Sequence, residues 1–378
     1  THYSDDSELR KATVHAVGDP AGNVATGAIN MWSGDLIGYD LLNGTYDTSA
    51  EGKEITLTID AEANRTAYER LSGKTGTVGV YNYKTGEILC MVSTPAFDPE
   101  LNQSGNDSGD SIYFNNFLQG AMTPGSTFKL VTAASALESG VDVDSFQFTC
   151  DGKNRYNKDD ITCTSAHGTV NFRQALAVSC NGAFGKLARE VGAANLSTTT
   201  QKVGLTKSVD VDGIKTQAGS FTFPEDNEVN LSWAGIGQYD DQVNPCAMMV
   251  YMGAIANGGE PVQPKLMKSS SFLSADKSGK SLGEYISSET ADELRSMMKN
   301  NVKVTYGESN FYGLDLYAKS GTAETGSGED GWFVGFIDNE DYPLAFVVWI
   351  KNGGTGYVSA GPVAKDVLNR IISNNDSE

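Results

Sequence analysis

Strand-like sequence clusters near both ends of this chain, with mainly helical text between. "GTVGVYNYKTGEILCMVS" (residues 76–93) alternates as two strands joined by a tight turn. Alternation returns from residue 314 in "LDLYAKSGTAE", "GWFVGFID" and "YPLAFVVWIK". Between them, "PGSTFKLVTAASALESG" opens on proline and small residues, repeats apolar residues at helical spacing and ends before a glycine, so it predicts a helix. A second helical region begins near Asn171, with Gln174 placed as a capping partner. It is interrupted around "SCNG" and resumes in "AFGKLARE". "NPCAMMVYMGAIANGG", "SSETADELRSMMKNNV" and the closing "GPVAKDVLNRII" add more helix. One sheet completed by distant segments accounts for this order.

Residues 1–50 are rich in Gly, Asp, Asn and Thr and show little periodicity, so they read as an extended lead-in or a remnant of a preceding domain. "ITLTIDAEANRTAYERL" then gives a short strand and an amphipathic helix that Asp60 can cap. The polar text from "FDPELNQSGNDSGDS" reads as loop. With 28 basic against 48 acidic residues the net charge is −20, which excludes a nucleic-acid backbone as partner. No apolar run reaches the roughly 18 to 20 residues a membrane span requires.

Three short constellations can carry chemistry. Ser126 and Lys129 stand three apart at a helix start, so the lysine can reach the serine hydroxyl and take its proton once desolvation lowers its pKa. Ser179 and Asn181 flank Cys180 at the break between helical pieces, where a hydroxyl and an amide can project into a cleft. Lys319-Ser320-Gly321-Thr322 lies in strand text, with small residues along which an extended ligand can lie and hydroxyls that can bind a carboxylate. Two other lysine–hydroxyl–glycine triplets read differently. Lys74-Thr75-Gly76 lacks the Walker glycine, since position 68 is Tyr68, and Lys84-Thr85-Gly86 sits at the hairpin tip.

The order of these motifs, with 53 residues from Ser126 to Ser179 and 138 from Asn181 to Lys319, resembles the penicillin-binding protein transpeptidase family, class B. "TGEILCMVSTPAFDP", "HGTVNFRQALAVSCNGAF", "GIGQYDDQVNPCAMM" and "GWFVGF" strengthen the likeness, and "WSGDLIGYDLLNGTYD" is similar to the lead-in of division- and elongation-type members. The resemblance implies an α+β, penicillin-binding protein/serine β-lactamase-like fold: an antiparallel sheet flanked by helices, with a mainly helical subdomain. Residues 51–378 would be the transpeptidase domain. The implied function is peptidoglycan D,D-transpeptidation in cell division, in elongation and cell-shape maintenance, or in sporulation, with β-lactams as inhibitors. Ser126 would attack the penultimate D-Ala carbonyl of a stem peptide ending D-Ala-D-Ala, with Lys129 as base. Ser179 and Asn181 would relay the proton and hold the substrate amide. Lys319 would keep Lys129 deprotonated by like-charge repulsion, and Ser320 and Thr322, around Gly321, would receive the terminal carboxylate. The backbone N–H groups of Ser126 and Thr322 would form the oxyanion hole. The family further implies an extracytoplasmic location, an N-terminal membrane anchor outside this sequence, and contact there with other wall-synthesis membrane proteins.

Alternatives remain at this level. A D,D-carboxypeptidase would use water as acceptor, and a β-lactam sensor would capture ligand without turnover. A class A β-lactamase needs an E-x-x-L-N-like loop, and "FPEDNEVNLSWAG", with Glu225 and Glu228, does not contain that sequence. A Ser-His-Asp hydrolase on His167 is poorer still, because "SAHGTVNF" reads as a turn before a helix cap. The five cysteines form no disulfide framework. Cys150 and Cys163 flank a polar loop and could pair in an oxidising space, while Cys90, Cys180 and Cys246 read as buried thiols. Their spacing is too loose for a zinc pair, so no metal and no other cofactor is expected.

Overall fold

The structure, a computed structural model, describes residues 2–40, 45–46, 52–101, 112–156, 159–268 and 279–375. Most of the stretch expected to loop after Phe97 falls at 102–111, outside the described residues. In chain order the principal elements are α1 (Ser7–Val17), α2 (Ala61–Leu71), β1 (Gly76–Asn82) and β2 (Ile88–Thr94). Next come α3 (Lys129–Glu138), α4 (Phe172–Ala177), α5 (Asn181–Val191), α6 (Pro245–Ala256) and α7 (Ser288–Asn301). β3 (Leu316–Thr325), β4 (Gly328–Ile337), β5 (Leu344–Ile350) and α8 (Gly361–Asn375) complete the chain.

The five strands form one antiparallel sheet in the order β3-β4-β5-β1-β2. The N-terminal hairpin and the C-terminal three-stranded meander meet where β5 pairs with β1, as the strand text at both ends requires. Strand side chains alternate between faces, and the two faces feed two cores. Trp332, Val334 and Phe336 face the helical layer with Val347 and Trp349. Phe333 and Ile337 face the opposite way with Phe346, Val348 and Ile350, under α2 and α8. Both faces are therefore buried, which explains why these strands read as nearly continuous apolar runs.

The local signals for helix starts are present as side-chain caps. Asp60 accepts the Ala63 N–H at the start of α2. Asn171 and Gln174 form a reciprocal capping box at the start of α4. At the hairpin tip Asn82 Oδ1 accepts the Lys84 and Thr85 N–H groups, so this triplet is turn chemistry. The lead-in departs from the extended reading. Ser7–Val17 is a helix, capped by Asp6 and packed on α2 and β2. Arg10 fixes it through a two-pronged pair with Asp98 at 2.8 and 2.7 Å. Its apolar residues are mostly alanine and valine, too small to raise a clear helical signal. Among the described residues no helix is long and apolar enough to cross a membrane.

Helix α6 is buried along its whole length, so it crosses the helical layer as a spine beneath the sheet. Its Gly253 faces Tyr81 of β1 so closely that an added Cβ would lie 1.8 Å from Tyr81 Oη. Gly253→Ala should therefore cost about 1–3 kcal/mol of stability by overpacking. Adding Tyr81→Phe, which removes a buried hydroxyl without a hydrogen-bond partner, should recover part of that loss. Chemical denaturation of the single and double variants measures both steps.

Candidate active site

Ser126 lies in a tight 3-10 turn, Gly125–Phe128, and α3 begins at Lys129. In 3-10 geometry residues three apart eclipse one another, so the lysine stacks over the serine more closely than on an α-helix. Lys129 Nζ stands 3.0 Å from Ser126 Oγ. Two close contacts in the backbone hold this turn against strand β3. Gly125 has φ +53°, and a Cβ there would lie 2.5 Å from the Thr322 carbonyl oxygen. A Cβ on Gly321 would lie 2.9 Å from Thr127 Cγ2 and 3.0 Å from the Pro124 oxygen. Only glycine at both places lets the serine turn and the strand touch.

Ser179 and Asn181 come from the break between α4 and α5. Helix α4 ends in a Schellman motif, with Cys180 N–H donating to Ala175 O at 2.9 Å and Ser179 N–H to Leu176 O at 3.1 Å. Ser179 occupies the left-handed position of that motif, φ +53°, where glycine is usual. The turn aims its carbonyl and hydroxyl at Lys129 Nζ, 2.7 and 3.2 Å away. Asn181 Oδ1 accepts from the same Nζ at 2.6 Å, while its Nδ2 donates to Thr162 O at 2.7 Å. Lys319, from β3, donates to Ser179 Oγ at 3.1 Å and to Ser320 O at 2.6 Å. Ser126, Lys129, Ser179 and Lys319 thus form one chain of contacts no longer than 3.2 Å, with Asn181 bound to its centre.

Both lysines are fully buried, whereas Ser126, Ser179, Asn181, Ser320 and Thr322 remain partly open to solvent. Burial draws Lys129 down to about 8, against an opposing pull from the nearby Cys163 and Cys180 sulfurs. Lys319 is pushed well below the ordinary lysine range, first by burial and then by repulsion from Lys129. Desolvation is therefore the main force on both lysines. A neutral Lys129 has two N–H donors and one lone pair. Ser179 O and Asn181 Oδ1, the two nearest oxygens, can take the donors, which leaves the lone pair for the Ser126 hydroxyl.

β3 is an edge strand, and its even-numbered residues turn their backbone groups outward. Asn301 Nδ2 donates to Ala318 O at 3.0 Å, Ser320 N–H donates to Tyr306 Oη at 2.8 Å, and Gln238 Nε2 donates to Thr322 O at 3.2 Å. By the same alternation the Thr322 N–H points to that edge, beside the serine turn. Tyr306 also bonds Ser320 Oγ at 3.0 Å, and its neighbour Thr305 donates to Ala177 O at 2.7 Å. The segment after α7 thus ties the second motif to the third. Sequence reasoning missed Tyr306 and Gln238, although "GIGQYDD" placed Gln238 inside familiar text. Lys74-Thr75-Gly76 runs into β1, on the far side of the sheet order from β3. Glu228 is 67% exposed in an ion pair with Arg189, and does not join the cluster.

Residues 60–371 match the penicillin-binding protein transpeptidase domain. The chain belongs to this family. Among curated relatives, the peptidoglycan D,D-transpeptidase PbpA of Mycolicibacterium smegmatis is 26% identical over 371 residues, covering 88% of this chain and 75% of that protein. Penicillin-binding protein A from M. tuberculosis, solved as a ceftriaxone acyl-enzyme, shares the fold with a TM-score of 0.83 at 23% identity, covering 95% of this chain and 91% of that one. The D,D-transpeptidase domain from Eggerthella lenta gives 0.79 at 26% identity, with coverage of 95% and 91%. Antiparallel sheet and flanking helices are thus those of a penicillin-binding protein transpeptidase domain, as the resemblance implied.

Two predictions follow from this geometry. Ser179→Gly relieves a left-handed serine, so folded stability should hold or rise by up to about 1 kcal/mol. Acylation by a penicillin should fall by about 10²-fold or more as the bridging hydroxyl is lost. Thermal unfolding and stopped-flow acylation test the two halves separately. If neutral Lys129 is the reactive form, raising pH towards 8 increases the fraction able to accept the Ser126 proton. The acylation rate should then rise about tenfold per pH unit below 8 and level off above it. A rate that is flat between pH 6 and 8 would remove Lys129 from that role.

Proposed function

We propose that this chain is a class B peptidoglycan D,D-transpeptidase whose residues 51–378 carry the reaction. The observation that carries this reading is the unbroken contact chain from Ser126 Oγ through Lys129 Nζ and Ser179 Oγ to Lys319 Nζ. Ser126 attacks the penultimate D-Ala carbonyl while Lys129 accepts its proton. The N–H groups of Ser126 and Thr322 receive the developing oxyanion. The proton passes by way of Ser179 to the amine of the departing D-Ala, and Asn181 holds the peptide amide. Ser320 and Thr322 bind the terminal carboxylate, and Lys319 Nζ, bonded to Ser320 O and Ser179 Oγ, holds that part of the strand against the second motif. An amine from a second stem peptide then attacks the acyl-enzyme, which completes the cross-link and frees Ser126. A β-lactam enters at the same carbonyl position.

Peptidoglycan stems lie outside the cytoplasm, so the domain works on the extracytoplasmic side. A membrane anchor outside the given sequence, and contact there with other wall-synthesis membrane proteins, belong to the same proposal. The test is a fluorescent penicillin followed by mass mapping, then a donor–acceptor assay with a D-Ala-D-Ala stem and an amine. The expected adduct is on Ser126 and disappears in Ser126→Ala, and the expected product is the cross-linked peptide. An adduct elsewhere overturns the site. Release of D-Ala without transfer makes the chain a carboxypeptidase, and acylation without any turnover makes it a sensor.

A further inference from the structure

One residue behind the active-site asparagine lies a second cluster that the proposed reaction does not use. Cys150 ends the strand Gln147–Cys150, and His167 immediately precedes its partner strand Gly168–Asn171. Cys163 follows the strand Asp159–Thr162, and Cys180 caps α5. The text between Cys150 and Cys163, expected to be a polar loop, instead contains the hairpin Lys153–Tyr156 with Asp159–Thr162. That hairpin folds Cys163 back, with its N–H on Gly152 O at 3.1 Å. The three sulfurs and a ring nitrogen of His167 consequently all lie within 4.8 Å of one another.

We propose that Cys150, Cys163, His167 and Cys180 form a tetrahedral Cys3His site for a structural zinc ion. Tetrahedral zinc, with bonds of about 2.3 Å to sulfur and about 2.0–2.1 Å to nitrogen, sets sulfur–sulfur edges of about 3.8 Å and sulfur–nitrogen edges of about 3.6 Å. Cys163 Sγ and Cys180 Sγ are 3.9 Å apart, and Cys150 Sγ stands 3.5 Å from His167 Nδ1. Both edges already fit. The sulfurs are also prepared for negative charge. Gly182 N–H points at Cys163 Sγ from 3.5 Å and Ala183 N–H at Cys180 Sγ from 3.4 Å, both from the first turn of α5. Three thiolates and one imidazole favour zinc over the oxygen-seeking divalent ions. On binding, three thiol protons leave to solvent and neutral His167 gives its Nδ1 lone pair.

The site has a consequence for its neighbours. Thr162 and Cys163 are adjacent, as are Cys180 and Asn181, and Asn181 Nδ2 already bonds Thr162 O at 2.7 Å. A metal joining Cys163 to Cys180 closes a small ring around that bond and fixes the entry of α5, which presents Ser179 and Asn181. Bound metal therefore positions these residues and does not touch substrate.

The experiment is metal analysis of the intact chain produced with zinc supplied and purified without chelator. About one zinc per chain is expected, and cobalt substitution should give the charge-transfer and visible bands of tetrahedral thiolate ligation. His167→Ala, at a half-buried position, and Cys180→Ser, which keeps a capping oxygen for α5, should each lose the metal. Cys246→Ser, buried in α6, should keep it. Chelation of the wild-type chain should lower its melting temperature and leave that of His167→Ala unchanged. Metal-free protein from zinc-supplied cells, a disulfide between Cys163 and Cys180, or zinc retained by both ligand variants would each overturn the site. Metal content is read whether or not the chain cross-links stem peptides, so failure here and failure of the transpeptidase reading are distinguishable.

Discussion

Two lysines buried against one serine hydroxyl make the demand that the rest of this structure meets. A charged ammonium in a low-dielectric interior is costly, and losing its proton is the cheapest relief. That relief serves catalysis only if water stays away from both Nζ atoms while Ser126 remains open. The seal combines direct contact between the turn at Pro124–Thr127 and strand β3 with packed side chains such as Phe184 over Lys129 Nζ, and both lysines reach the α4–α5 break at Ser179. The glycines at 125 and 321 are consequences of that seal, and so is the burial of Lys129 and Lys319 on either side of Ser179.

An edge strand beside the candidate site raises a second problem, since its unpaired backbone groups invite pairing with any other chain. Here much of that edge is covered from within the molecule. Asn301 covers Ala318, Tyr306 covers Ser320, and Gln238 covers the Thr322 carbonyl. The groups left facing the cleft lie where the serine turn meets the strand. The edge is thus left open over a short stretch, and the sheet is protected elsewhere. The same Tyr306 also orients Ser320, so protection of the edge and preparation of the site are one arrangement.

What the sequence revealed follows the range over which each interaction acts. The hairpin, the Asp60 cap and the Asn171–Gln174 capping box are decided within a few residues, and all were legible. The three motifs were legible because each is local and their order is distinctive, even though their meeting point is not written in any one segment. The helix at Ser7–Val17 was missed because its small side chains carry little periodic signal. Its stability comes from tertiary contacts such as Arg10 with Asp98, 88 residues away. Tyr306 and the Cys150–Cys163–His167–Cys180 group were missed for a related reason. Sequence spacing weighed the cysteines as pairs and set His167 aside, whereas two short hairpin-like returns bring all four together.

Ser179 marks where local preference and function disagree. The end of α4 has the hydrogen bonds of a Schellman motif, and its left-handed position favours glycine by about 1–2 kcal/mol over a residue with a side chain. A serine there can persist only if something outside the motif compensates it. Its hydroxyl receives both lysines, and its carbonyl receives one of them. Glycine would satisfy the helix end and leave the lysines without their bridge. Serine satisfies the lysines at a local conformational cost. Conflict of this kind is informative without any bound ligand, because natural chains tolerate it chiefly where geometry is needed for chemistry. The residue that least suits its backbone is the one at which Lys129 and Lys319 meet.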